Sequence, residues 1–266
     1  MGIWDAGSGG PFDAVRFSTS WIVPPVVLFA LRALISLFIF TSIFTILGID
    51  DKVDQEHYFS YFTSLTFWGL GFYFLFAAIH TASYWLTGKP FLARWPRALQ
   101  IAHSMYYTTI TTFPFVVTII FWALLFSSFP NVFSVFSNVS QHVLNTVFCL
   151  FEIFVPRTLP TPWIHLVTLV LILLLYLGLA FVTWGTEHFY VYDFLDDRLH
   201  SRGVIAGYIF GILALTIVIF VVVHFVLLGR VKLTENKWGK TGKLATKGRT
   251  AGAGDAELAE PMAEKA

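Results

Sequence analysis

The sequence has little charge and almost no cysteine. Only 12% of its 266 residues are charged, whereas 56% are hydrophobic. A soluble domain of this size cannot bury so much apolar surface, so the composition predicts a protein that uses the lipid bilayer as part of its solvent. The single cysteine, Cys149, excludes a disulfide within the chain. A formal net charge of +1 gives no whole-chain attraction to nucleic acid.

Six apolar stretches are each long enough to cross a bilayer as a helix, which needs about 20 residues. They predict an all-α, polytopic membrane protein whose six-helix transmembrane domain covers residues 21–229 and follows a polar N-terminal segment, 1–20. No cleavable signal peptide is visible, because the first apolar run is too long for one. Residues 230–266 are polar and rich in Gly, Ala and Lys, which is typical of a disordered tail. The predicted spans are 22–47, 59–85, 101–126, 134–155, 163–190 and 204–228.

Lysine and arginine are distributed unevenly between the two sides of the predicted bundle. If both termini are cytosolic, the outer loops contain only Lys52, Arg198 and Arg202. The positive-inside rule therefore predicts that both termini lie in the cytosol. The cytosolic side then carries Arg16, Lys89, Arg94, Arg97, Arg157, Arg230, Lys232, Lys237, Lys240, Lys243, Lys247, Arg249 and Lys265.

The fourth predicted span is unusually polar. Its polar residues recur at steps of three or four, so they share one face of a helix. Because polar groups facing lipid are costly, we expect this helix to be surrounded by its neighbours. The stripe is either a hydrogen-bonded seam between helices or part of a functional site centred on His142. Its residues are Ser134, Asn138, His142, Asn145, Cys149 and Glu152.

Thr66 is a second polar residue of interest, on the second predicted span. A threonine in such a helix usually donates to its own backbone carbonyls, which would give it a structural role alone. In the predicted topology, however, Thr66 and His142 each lie about 10 to 12 Å below the outer boundary, at about 1.5 Å per residue. A hydroxyl and an imidazole in contact away from water are the minimum for nucleophilic acyl transfer, because the imidazole can take the hydroxyl proton.

Four short segments occur in a recognisable order between residues 62 and 196. They are Ser64-Leu65-Thr66-Phe67, Phe113-Pro114 followed by Phe121-Trp122, Asn138 with His142 and Glu152, and Tyr190-Val191-Tyr192-Asp193-Phe194-Leu195-Asp196. In this order and spacing the chain resembles the androgen-induced protein and androgen-dependent TFPI-regulating protein family. It departs from the family at Val139, where members carry a second histidine after the asparagine.

The resemblance implies a membrane hydrolase that uses a threonine nucleophile and cleaves fatty acid esters of hydroxy fatty acids, with no cofactor or metal. Thr66 matches the nucleophile and His142 the base, and we expect Asn138 or Asn145 to support the oxyanion. The partners would be a lipid ester substrate and membrane lipids, in the endoplasmic reticulum membrane. Glu152 lies about 15 Å along the helix from His142, so we interpret it as a contact of the bundle.

Two other function classes remain open from the sequence. A pair of histidines at matched depth on adjacent helices would ligate a haem iron and make the chain a transmembrane redox protein. Arg32 and Glu152 are charges within predicted spans, which leaves a transporter or a structural scaffold open as well. The histidines near the cytosolic ends of predicted spans are His80, His103, His165 and His224.

Overall fold

The computed structural model describes residues 12–49 and 52–240. That part of the chain is helical and contains no β-strand, apart from an isolated antiparallel bridge between Ser20 and Pro156. Six long helical stretches, α1 to α6, dominate it. They are α1 Pro25–Ile49, α2 Phe62–Thr87, α3 Arg97–Ile120, α4 made of Val132–Val139, Ser140–Leu144 and Asn145–Phe154, α5 His165–Glu187 and α6 Arg202–Val231.

Three π-helical turns modify the long helices. Phe121–Leu125 extends α3, Ser140–Leu144 interrupts α4, and Lys232–Lys237 extends α6. Such turns are rare and occur often at functional sites. The shorter elements are the α-helices Ala14–Phe17 and Lys52–His57 and the 3₁₀ turns Tyr58–Ser60, Phe91–Arg94 and Asp193–Leu195.

Within the described residues, five helices are long and apolar enough to cross a membrane. The fourth predicted span, 134–155, corresponds to α4, which is not among the five because polar residues such as Asn138, Gln141 and His142 make it less apolar than the others. The all-α fold with apolar helices of membrane length is therefore confirmed, whereas the count of six spans stays a prediction. The five helices are Pro25–Ile49, Phe62–Thr87, Arg97–Leu125, His165–Glu187 and Arg202–Lys237.

The helix ends differ from the predicted spans for local reasons. α2 is followed by Gly88, whose φ of 72° lies in the left-handed region that glycine adopts readily because it has no Cβ. The N–H of Gly88 donates to Tyr84 O at 2.8 Å and so caps the helix. α5 ends at Glu187, before the predicted 190, because His188 takes a φ of 54°.

The first residues of the predicted disordered tail are helical. The last helix continues past residue 230 through the π-helical turn Lys232–Lys237, because Thr234 Oγ1 donates to Arg230 O at 2.8 Å and Glu235 pairs with arginines elsewhere in the chain. Residues 241–266 of the predicted tail and 1–11 of the predicted N-terminal segment lie outside the described residues.

α1 and α2 pack closely because α2 presents a glycine to α1. A Cβ on Gly71 would lie 2.9 Å from Ile39 Cγ2, closer than side chains tolerate. Ser36 Oγ donates to Gly71 O at 3.1 Å across the same contact. Small residues allow membrane helices to approach in this way, since lipid supplies little hydrophobic drive for their association.

The most polar buried contact joins α1 and α4. Arg32 Nε and Nη2 donate to the two carboxylate oxygens of Glu152 at 2.7 and 2.8 Å, and neither side chain is exposed. Arg32 Nη1 also donates to Phe17 O at 2.7 Å and to Thr81 Oγ1 at 2.6 Å. This two-pronged pairing fixes α4 against α1 and makes Glu152 a contact of the bundle, as expected.

Segments from both ends of the described chain meet on one face of the bundle. Arg16 Nη2 lies 2.5 Å from Glu235 Oε1, and Arg157 Nη2 lies 3.3 Å from Glu235 Oε2. Arg16 Nε donates to Arg157 O at 3.0 Å. Arg230 Nη1 donates to Ile153 O at 2.6 Å. The N-terminal segment, the loop between α4 and α5 and the end of α6 are therefore held together.

Candidate active site

Thr66 lies in the second turn of α2, where its half-buried side chain lines a cavity of about 550 Å³ between α2, α3 and α5. Its Oγ1 lies 2.9 Å from Phe62 O and 3.0 Å from Thr63 O, so the hydroxyl proton is shared with its own helix. These are the hydrogen bonds to its own backbone that a threonine with a purely structural role in a membrane helix is expected to make. The hydroxyl oxygen can still accept a hydrogen bond from another group.

The cavity beside Thr66, called the Thr66 cavity below, is apolar. Tyr106 OH donates to Gly69 O, and Thr109 Oγ1 donates to Tyr106 O at 2.7 Å, so these polar groups are bonded to backbone. An apolar lining with few free polar groups suits a hydrocarbon chain. The lining residues are Phe62, Leu65, Thr66, Gly69, Ala102, Met105, Tyr106, Thr109, Ile110, Phe113, Pro114, Thr168, Ile172, Leu175, Tyr176 and Leu179.

His142 lies in the π-helical turn of α4 and is buried against α3. Its ring stacks on Phe121 with centroids 3.6 Å apart and an interplanar angle of 3°. Its backbone carbonyl accepts a hydrogen bond from Thr118 Oγ1 at 2.7 Å. Nδ1 has no hydrogen-bond partner within the described residues. The stacked rings thus bring two π-helical turns into contact, the one that begins at Phe121 and the one that contains His142.

Aromatic contacts between α2 and α4 allow their register to be counted. Phe74 packs near both Phe148 and Phe151, with centroid separations of 6.3 and 6.2 Å. Thr66 lies eight residues before Phe74 on α2. Eight residues before Phe148 and Phe151 on α4 lie Ser140 and Val143, which flank His142.

Thr66 and His142 do not form a hydrogen bond in this structure. The hydroxyl of Thr66 is engaged with Phe62 O and Thr63 O, while the ring of His142 lies against Phe121. The structure does not join Thr66 and His142 into a dyad, and His142 is not among the residues that line the cavity beside Thr66.

The two asparagines predicted to support an oxyanion differ in their surroundings. Asn138 Nδ2 donates to Ser134 O at 2.8 Å and to Ser134 Oγ at 3.2 Å, so its amide serves its own helix. Asn145 is fully buried, and neither its Nδ2 nor its Oδ1 has a partner among the described residues. Buried amides are nearly always paired, so Asn145 is the asparagine with donor capacity to offer a ligand.

Sequence reasoning gave no role to two tyrosines from elsewhere in the chain whose hydroxyls bind the first residue of α2. Tyr176 OH and Tyr192 OH lie 3.1 and 3.2 Å from Phe62 N and accept its N–H, which no carbonyl of α2 can bind. Tyr176 OH also donates to Ser60 O at 3.0 Å. The signal that could have found Tyr176 is its position as a lone polar group within the leucine-rich run of α5.

The histidines considered as haem ligands have other neighbours. His80 and His103 pack edge to face with centroids 5.2 Å apart, which leaves no room between them for a planar macrocycle. His165 Nδ1 lies 2.7 Å from Thr108 Oγ1, and His224 Nδ1 lies 2.8 Å from Thr161 O. These residues do not fit the paired axial ligands of a haem.

The loop between α5 and α6 contains an ion pair outside the candidate spans. Arg198 Nη2 lies 2.6 Å from Asp196 Oδ2, and Arg198 Nε donates to Asp196 Oδ1 at 2.9 Å. Because these hydrogen bonds favour the charged carboxylate, the pKa of Asp196 lies below its ordinary value of 3.8. The ion pair lies at the end of the segment from Tyr190 to Asp196, the fourth of the segments that resemble the family.

Comparison with known protein families, curated proteins and solved structures gives no match. The resemblance to the androgen-induced protein family therefore stays a prediction carried by the sequence segments themselves.

Proposed function

We propose that the protein is a membrane-embedded lipid ester hydrolase in which Thr66 is the nucleophile and His142 the base. The observation that carries the proposal is the position of Thr66 on the wall of a cavity of about 550 Å³ with an apolar lining. A hydroxyl at such a place can meet the carbonyl of an ester whose chains lie among apolar side chains. The substrates implied by the resemblance are fatty acid esters of hydroxy fatty acids, and the implied location is the endoplasmic reticulum membrane.

Counting residues back from the Phe74 contacts supports His142 as the base, because it leads to Thr66 on α2 and to the segment around His142 on α4. The ring of His142 is buried, and its Nδ1 is not engaged by another protein group in the described residues. Threonine in a helix divides its time between two rotamers, one of which bonds the preceding turn. In the active arrangement, Thr66 turns away from Phe62 O and donates its proton to the ring of His142.

The reaction then proceeds in two halves. Thr66 Oγ1 attacks the ester carbonyl carbon while His142 takes the hydroxyl proton. The tetrahedral intermediate collapses, the bond to the alcohol oxygen breaks, and His142 returns the proton to the departing alcohol. Water next attacks the acyl-threonine with His142 as base, and the fatty acid leaves as Thr66 regains its proton. The amide of Asn145 donates to the oxyanion in both halves.

Hydrolysis of a panel of lipid esters by purified variants tests the site. We expect Thr66→Ala and His142→Ala each to lower kcat by at least about 10³-fold, because each removes a group used in both halves of the reaction. Thr66→Ser keeps a hydroxyl and is expected to label with a fluorophosphonate probe, as the wild type is. Ser83→Ala removes a hydroxyl that bonds Lys89 O at the other end of α2 and is the control. Full esterase activity in Thr66→Ala would reject the nucleophile.

We further propose that α4 crosses the membrane as a sixth span and that both termini are cytosolic. Arg16 and Glu235 are in contact, which requires an even number of crossings between them. The side chains that α4 exposes are mostly apolar, including Val143, Val147 and Leu150, while its His142 and Asn145 are buried. A helix with this arrangement keeps these polar side chains away from lipid and presents hydrocarbon to it.

Cysteine labelling in sealed microsomes tests this topology, starting from a Cys149→Ala background. Six spans predict that Lys240→Cys reacts with a membrane-impermeant maleimide directly, whereas Leu199→Cys reacts only after permeabilisation. Five spans, with α4 not crossing, predict the reverse for both positions. The reverse pattern would therefore exclude the sixth span.

A further inference from the structure

A second apolar cavity lies next to the Thr66 cavity. It has a volume of about 130 Å³ and is bounded by the start of α2, the last turns of α3, α5, the loop after α5, and α6. Its lining is almost entirely hydrocarbon and includes Val116, Ile120, Leu173, Ile209 and Leu213. Nothing in the proposed reaction uses this space.

Phe62 and Tyr176 are the two side chains that line both cavities. Their rings lie 4.8 Å apart between centroids and are inclined by 52°. Phe62 also packs edge to face on Phe113, at 5.1 Å. The two rings thus form a partition, called the Phe62–Tyr176 wall below, between the larger and the smaller cavity.

The wall is held rigidly. Tyr176 OH donates to Ser60 O at 3.0 Å and accepts the N–H of Phe62 at 3.1 Å. These two hydrogen bonds hold the hydroxyl, and with it the ring, in place. Tyr192 OH accepts the same N–H at 3.2 Å. Phe62 is only 8% exposed, because it is packed within a cluster that includes Val117 and Phe220. A wall with these contacts is a fixed boundary and not a mobile flap.

The wall stands one helical turn from the candidate nucleophile. Phe62 O is a hydrogen-bond acceptor of Thr66 Oγ1, and one turn of an α-helix is about 5.4 Å. An acyl chain whose ester carbonyl lies at Thr66, and which runs toward the start of α2, therefore meets the two rings after a short distance.

We propose that the Phe62–Tyr176 wall limits the length of the acyl chain that the Thr66 cavity accepts, and that the second cavity is an apolar extension which the wall closes off. The position of the ester rests on the proposed function, whereas the limit on chain length applies to any fatty acyl ligand of the cavity.

Chain-length profiles of wild type and Phe62→Ala test the wall. The substrates are p-nitrophenyl esters of butyrate, octanoate, dodecanoate and hexadecanoate, in detergent micelles. Removing the Phe62 ring joins the two cavities, so the ratio of hexadecanoate to octanoate hydrolysis is expected to rise about tenfold. Phe62→Leu, which perturbs folding less, is expected to shift the ratio in the same direction by a smaller factor.

Matched variants separate the wall from a general loosening of the site. Met105→Ala enlarges the Thr66 cavity away from the wall and is expected to leave the ratio unchanged. Tyr176→Phe keeps the ring but loses the hydroxyl that fixes it, so its ratio is expected to stay closer to that of the wild type than to that of Phe62→Ala. Leu173→Trp refills the second cavity, so Phe62→Ala/Leu173→Trp is expected to return the ratio toward that of the wild type.

Fatty acid binding distinguishes failure of the wall from failure of the hydrolase. The affinities of octanoic and hexadecanoic acid for wild type and for Phe62→Ala are measured by their displacement of a bound fluorescent fatty acid. If the wild type cleaves none of the esters, the proposed function fails, and a selective gain of hexadecanoic acid affinity in Phe62→Ala still supports the wall. If the folded Phe62 variants change neither the hydrolysis ratio nor the relative affinities, the wall is overturned.

Discussion

Two buried polar regions of the bundle, both on α4, are organised in opposite ways. Around Glu152, every oxygen of the carboxylate receives a hydrogen bond, and Arg32 reaches Phe17 O and Thr81 Oγ1 as well. Around His142, the ring Nδ1 and the side chain of Asn145 have no partner in the described residues. Satisfied polar groups within a membrane protein hold helices together, whereas unsatisfied ones are costly and point to a ligand.

The π-helical turn Ser140–Leu144 contains His142, and the α-helical part of α4 that follows it contains Glu152. The ring of His142 stacks on Phe121, while Glu152 is paired with Arg32 of α1. We therefore expect the stability of the bundle to depend on the Glu152 region, and the proposed hydrolysis to depend on the His142 region. Substitutions in each region test these expectations.

The largest effect on stability is expected for Glu152→Ala. Removing one partner of a buried ion pair leaves Arg32 charged and unpaired, at a cost of about 3–5 kcal/mol. The melting temperature in detergent should therefore fall sharply. Glu235→Ala, which breaks a partly exposed pair, is the control and should cost much less. Equal melting temperatures for the two variants would show that the Arg32–Glu152 pair does not hold the bundle together.

A double substitution sharpens that result. Arg32→Met/Glu152→Leu replaces both charges by apolar side chains, which is often neutral for buried pairs. We expect it to recover most of the stability lost in Glu152→Ala. A double variant as unstable as the single one would mean that the carboxylate acts through contacts other than Arg32.

The reverse pattern is expected for Asn145→Leu. Replacing an unpaired buried amide removes a desolvation cost of about 1–3 kcal/mol, so the melting temperature should hold or rise. Ester hydrolysis should fall about 10²-fold if the amide donates to the oxyanion. A loss of stability like that of Glu152→Ala, with normal hydrolysis, would make Asn145 a structural residue and erase the contrast between the two regions.

The smallest effect concerns the loop between α5 and α6, where pairing with Arg198 lowers the pKa of Asp196. A carboxylate with a depressed pKa stabilises the fold above its unfolded pKa, and this contribution is lost as the pH falls through the folded value. Asp196→Asn should therefore melt slightly earlier than wild type at neutral pH, and the two should converge well below pH 3.8. A difference that persists in acid would assign the effect to the shape of the side chain.

Counting residues predicts position along a helix but not rotation about its axis. The equal level of Thr66 and His142 comes from such counting along two helices and stays a prediction. Which neighbour each side chain faces depends on packing between helices, so the Phe121 stack and the Asn138–Ser134 hydrogen bonds were not foreseen. The π-helical turn in α4 likewise has no simple sequence signature, because it differs from an α-turn by one hydrogen-bond step.

The contact between Arg16 and Glu235 also bears on how the chain is connected. Since the two ends of the described chain emerge side by side, a peptide linker between them would close the protein into a ring. Opening that ring at Gly88, in the turn after α2 on the same face, would give a circular permutant in which every helix keeps its neighbours.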